Sequence, residues 1–148
     1  MTSLRQQLRD NAVALISLVV ALGSLAYNTW RNERTEHNRN VRTAAFELLT
    51  KLAELERVVF LAQYDRDVAG GNPRTGWTYV LVIADLSAVV PAPVPAQAAE
   101  LQRVWRENWE DLGKDDKTAK DDKTAVDHID DAIKKLRETT LGTLRSLR

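Results

Sequence analysis

The chain contains no cysteine. Disulfides, thiolate metal sites and a cysteine nucleophile are thereby excluded. It has two histidines, His37 and His128, too few for a histidine-rich metal site. Neither has a Glu three residues before it, as the di-metal sites of helical bundles require. Charge of one sign is also missing: 21 basic and 21 acidic side chains give a net charge of zero. A nucleic-acid partner held by a basic surface is not expected. The six glycines and four prolines sit mostly in two short clusters, VAGGNPRTG at 68–76 and PAPVPA at 91–96. No Gly or Pro falls between Gly23 and Gly70, so most of the chain is free to be helical. A length of 148 residues allows one domain.

One long apolar run is present. AVALISLVVALGSLAYNTW, positions 12–30, carries no charge. Nineteen helical residues span roughly 28 Å, close to the ~30 Å hydrocarbon core of a bilayer. A short tail, 1–11, with Arg5, Arg9 and Asp10 precedes it, and the polar run RNERTEHNRNVR follows. Tyr27 and Trp30 stand where interfacial anchors would lie. The expected element is a retained single transmembrane helix. A cleaved signal peptide is the main rival, because SLA at 24–26 supplies small residues at cleavage positions. A buried core helix is a third reading, disfavoured because a helix apolar all round needs cover on every side.

Within the run, Ala14, Ser17, Ala21, Ser24 and Asn28 follow a 3, 4, 3, 4 spacing that lines one helix face. Small and weakly polar residues in a line let another helix approach closely. The stripe is a candidate packing face for self-association or for a partner helix. Arg31, Arg34, Arg39 and Arg42 after the run, against Arg5 and Arg9 before it, lean toward a cytoplasmic C-terminal domain by the positive-inside rule.

Residues 31–148 read as a small helical bundle, so the expected fold class is all-α. Val41, Ala45, Leu48, Leu52, Leu55, Val59 and Ala62 form a coiled-coil-like seam, widened by Phe46, Leu49, Ala53 and Phe60 to suit more than one neighbour. The apolar helix is expected to continue over about 31–68 and to end on a glycine cap with a proline turn behind it. Helices are also expected at about 77–90, 96–112 and 119–147. The segment 77–90 is rich in β-branched residues, yet no partner strand is evident and a lone strand cannot satisfy its backbone. Trp105 and Trp109, one turn apart, are read as core. KDDKTAKDDKTA at 114–125 is a tandem hexapeptide. It lacks the glycine and terminal Glu of a calcium loop and reads as a solvated helix start. The last helix is expected to bury Val126, Ile129, Ile133, Leu136, Leu144 and Leu147.

No catalytic set emerges. Asp85 in VIADLS is the one acid read as buried. His128 shares a polar face with Asp121, Thr124, Asp131 and Lys135. AGGNPRTG lacks the Lys-Ser/Thr ending of a phosphate loop. The functional expectation is a non-enzymatic, single-pass protein of a bacterial-type inner membrane, acting as adaptor, scaffold or accessory subunit. Its expected partners are membrane lipid and a protein or a second copy, with no cofactor. A ligand-sensing helical module and a periplasmic envelope-spanning or lysis protein are the alternatives.

Overall fold

The computed structural model describes residues 11–67, 69–114 and 123–147. Among these residues there are four α-helices and no strand: α1 (Ala12–Phe60), α2 (Pro73–Ser87), α3 (Val94–Asn108) and α4 (Ala125–Ser146). A π-helical turn, Leu61–Asp65, follows α1, and a 3-10 turn, Trp109–Asp111, follows α3. The chain divides into two compact units between His37 and Asn38. The first contains the apolar run; the second is an all-α bundle.

The bundle forms around the seam of α1. Val41, Ala45, Leu48, Leu52, Leu55 and Val59 are all closed to solvent. They meet Val80 and Ile83 of α2, Val94, Leu101 and Trp105 of α3, and Val126, Ile129, Ile133 and Leu136 of α4 in one apolar cluster. Specific ties give the helix directions. The Tyr79 hydroxyl faces the Glu54 carboxylate, and Gly71, just before α2, lies against the Ala62 backbone, so α2 runs back along α1. The connection Pro91–Pro93 lies beside Thr139 and Ser146 of α4, while Gly113, just past α3, returns to the Ala62 carbonyl. The Arg137 guanidinium forks onto Glu56 at 2.6 and 3.3 Å, and Arg42 donates to the Leu147 carbonyl at 2.9 Å. Consecutive helices therefore alternate in direction, the arrangement that short connections favour.

Two helices start earlier than expected, and both starts contain a proline. Asn72 caps α2, its side chain accepting from the Arg74 N–H at 3.0 Å, with Pro73 in the first turn. In α3, Pro95 occupies the first turn. The missing N–H of proline costs nothing there, because first-turn N–H groups have no intrahelical acceptor. The first helix stops short of position 68, which lies outside the described residues. Arg66, not a glycine, adopts the left-handed conformation behind the π-helical turn, at φ 49°, and Asp67 Oδ1 then accepts from the N–H groups of Ala69 and Gly70. The last helix begins at Ala125, not near 119. Thr124 is its extended N-cap: its hydroxyl accepts from the Asp127 N–H, and its own N–H donates to the Asp127 carboxylate at 2.8 Å. Most of the tandem repeat, with Asp121, lies outside the described residues.

The widening of the α1 seam falls on other residues than expected. Ala44 and Val58 are the buried additions, whereas Phe46 and Phe60 are 61% and 52% exposed and Ala53 is also open. At 100° per residue Phe60, Ala53 and Phe46 lie about 100–140° to one side of the seam centre, whereas the buried Ala44 and Val58 lie about 60–100° to the other, so the cover extends around one flank of the seam only. In α4, buried Thr140 and Thr143 take up core positions, their hydroxyls donating to the Leu136 and Thr139 carbonyls at 2.8 and 3.1 Å. Leu144 and Leu147 are half-buried at the edge of the cluster.

Trp105 is closed to solvent, and its six-membered ring lies directly on Gly76, where a Cβ would overlap it. Gly76→Ala is expected to cost about 1–3 kcal/mol through overpacking. Gly142→Ala, in open space on α4, is expected to stabilise by up to about 1 kcal/mol. Denaturant unfolding of the chain in detergent, followed by circular dichroism, measures both.

Candidate functional site

The site is the apolar segment of α1. Its mean hydropathy reaches 1.8 over an 18-residue window, and none of that window is buried. It is one helix, near the N-terminus, long and apolar enough to cross a membrane. Val13, Ile16, Val19, Leu22 and Leu25 point outward on all sides, Val13 being 79% exposed. A water-facing helix would carry charged or strongly polar residues on one face; this one carries large apolar residues around most of its circumference and only small or uncharged ones on the rest.

Both serines of the segment are satisfied locally. Ser17 donates to the Val13 carbonyl and Ser24 to the Val20 carbonyl, each at 2.8 Å. Hydroxyls bonded in this way need no water, which suits a setting where every polar group must find an internal partner. Ala14, Ser17, Ala21, Ser24 and Asn28 share one side of the helix by their spacing, and all are exposed.

At the segment's end the rings of Tyr27 and Trp30 stand 6.2 Å apart, tilted at 41°. Arg34 adds a feature that sequence reasoning missed: its guanidinium lies 5.1 Å from the centre of the Trp30 ring. The i, i+4 spacing of Trp30 and Arg34 was the available signal. Together these side chains place an aromatic pair and a cation where the apolar run gives way to polar sequence.

The bundle carries little that resembles a reaction centre. Among the described residues no three His, Asp or Glu side chains come together as a metal site would need. Asp85 is exposed, because the inward face of α2 is set by Val80, Ile83 and Ser87 and Asp85 falls on the other side. Trp109 packs edge-on against Trp77, ring centres 6.5 Å apart, and forms part of the core rim. Open depressions exist among the described residues. One, of about 290 Å³, lies at the start of α2 beside Arg66, Asp67 and Arg74. Another, of about 400 Å³, lies between Pro91–Pro93 and the end of α4. In the second, Thr139, Thr143 and Ser146 already donate to the Lys135, Thr139 and Thr143 carbonyls.

Compared with family models, with curated proteins and with solved structures, the chain shows no match. Its function must be argued from its own residues.

Electrostatics tune the bundle surface. Hydrogen bonds from Thr124 hold the Asp127 carboxyl below its ordinary range, and the Arg103 guanidinium does the same for Glu100. Asp130 moves the other way. Although the residue as a whole is exposed, desolvation raises its carboxyl, aided by the charges of Glu56, Asp127 and Asp131. The folded state thus holds the Asp130 proton more tightly than the unfolded chain does. The penalty is absent below the unfolded value of about 3.9 and grows as pH rises through the folded value. Asp130→Asn is therefore expected to raise the melting temperature at pH 7 and to leave it unchanged near pH 3. Thermal unfolding at the two pH values checks this.

Proposed function

We propose that the chain is a single-pass membrane protein, anchored by residues 12–30, whose helical bundle acts by protein–protein interaction as an adaptor, scaffold or accessory subunit rather than as an enzyme. The observation that carries the reading is the fully exposed, uncharged apolar helix surface from Ala12 to Trp30. Left in water, each large side chain there would forgo about 1.5–3 kcal/mol of burial. Lipid covers such a surface on all sides, and Tyr27, Trp30 and Arg34 suit the interface that would border it.

The favoured location is the inner membrane with the bundle in the cytoplasm. Support comes from the four arginines after the run against two before it. The basic end of α4, with Lys134, Lys135, Arg137 and Arg145, suits an anionic leaflet. The stripe Ala14, Ser17, Ala21, Ser24, Asn28 is the proposed contact face between spans. A second reading, export with cleavage after residue 26 or anchoring with the bundle in the periplasm, rests on SLA at 24–26.

Because the chain has no cysteine, one introduced thiol reports position without background. The intact-mass chain is expected in the carbonate-resistant membrane fraction, with Lys134→Cys shielded from an impermeant maleimide in spheroplasts and labelled after lysis. Labelling before lysis would move the bundle to the periplasm. A mature mass lacking the first 26 residues would remove the anchor. Leucine at Ser17, Ala21 and Ser24 together is expected to weaken crosslinking between spans in membranes, and unchanged crosslinking would dismiss the stripe as a contact.

A further inference from the structure

The bundle leaves one face of α1 uncovered. Phe46, Ala53 and Phe60 are spaced seven residues apart, two helical turns each, with Leu49 half-buried beside them. Phe60 and Tyr64 stack at 5.0 Å between ring centres, and Tyr64 is 65% exposed. Three large aromatic side chains thus lie open in a row.

The charges along this row are of one sign. Arg39 and Arg57 are five helical turns apart and fall on the same face. Between Arg39 and Phe60 no carboxylate falls within it by helical spacing, and the exposed Asp65 follows Tyr64 at its end. The nearest acids stand at its two edges and are engaged there: Glu47 and Glu54 with Lys51 at 3.7 and 4.0 Å, Glu54 also with the Tyr79 hydroxyl, and Glu56 with Arg137 at 2.6 Å. In a chain of zero net charge, this is a local concentration of aromatic rings and arginine. The same residue types are enriched at the energetic centres of protein interfaces, where Lys, Glu and Asp are depleted.

We propose that the Phe46–Ala53–Phe60–Tyr64 face of α1 is the docking surface for an amphipathic helix of another protein, one with an apolar seam flanked by acidic residues. The two phenylalanines fill the partner's seam. Ala53 lets the helices approach closely at the centre. Arg57 and Arg39 meet the flanking carboxylates, which sets orientation and excludes basic helices. A second copy of this chain would set Arg39 and Arg57 against guanidiniums of the same kind. This inference rests on the interaction reading above and names the partner's chemistry.

The test uses the full chain in nanodiscs of neutral lipid. Two labelled helical peptides of about 20 residues share one leucine seam; one is flanked by Glu and the other by Lys. The Glu peptide is expected to bind about tenfold tighter or better. Phe46→Ser with Phe60→Ser should cost it about tenfold, and Arg57→Glu should abolish the preference, with the circular dichroism spectrum unchanged in each variant. Four results would overturn the proposal: equal binding of the two peptides, no binding of either, a homo-oligomer dissolved by Phe60→Ser, or capture of anionic vesicles lost in the same variant. Carbonate extraction of the same variants separates the two readings, since a chain that stays in the membrane while showing no peptide preference loses only the docking surface.

Discussion

Burial of one seam, Val41 to Val59 on α1, gives the other three helices their places. Each supplies apolar residues to it, and two are set at a defined level of it by polar groups: α2 where Tyr79 faces Glu54, α4 by Arg137 to Glu56 and by the Leu147 carbonyl to Arg42. The polar ties are exposed and individually worth little; they set register, while the apolar cluster supplies the stability. Trp105 shows how tight the fit is, since its ring takes the space that any side chain at position 76 would need. Burial on one side of α1 also has a consequence on the other. Three helices around one seam cannot cover its whole circumference, and Phe46, Ala53 and Phe60 remain open.

The apolar run poses the opposite problem. Its residues form a regular helix with nothing packed against them. The bundle solves its hydrophobic surface internally; the segment from Ala12 to Trp30 does not. Within the segment the serine hydroxyls bond back to their own helix, and at its end two aromatic rings and a guanidinium group together. These local arrangements are those of a helix suited to lipid.

Much of this was legible in the sequence because it rests on period and sign. The seam at 3- and 4-residue spacing, the length of the uncharged run and the all-α class follow from counting residues. The misplaced details have specific physical causes. Pro73 and Pro95 read as breaks, yet proline is as much at home in a first helical turn as in a loop. Gly76 read as loop because its reason for being glycine, the ring of Trp105, is distant in sequence. Phe46 and Phe60 read as core because a single chain's pattern shows that a side chain is apolar, not whether a neighbour reaches it. The Trp30–Arg34 pair was within reach of an i, i+4 search. The cap at Thr124 was hidden inside a repeat whose composition suggested a helix already under way.

Single spin labels placed through residues 12–30 of the cysteine-free chain in lipid vesicles test the central claim most directly, by collision with oxygen and with a water-soluble nickel chelate. A spanning helix should give oxygen access that rises toward the middle of the run and chelate access that falls to a minimum there, on every face except the side of Ser17, Ala21 and Ser24, where both should be low. Chelate access that stays high along the whole run, or labels shielded from both reagents on all faces, would contradict a membrane span.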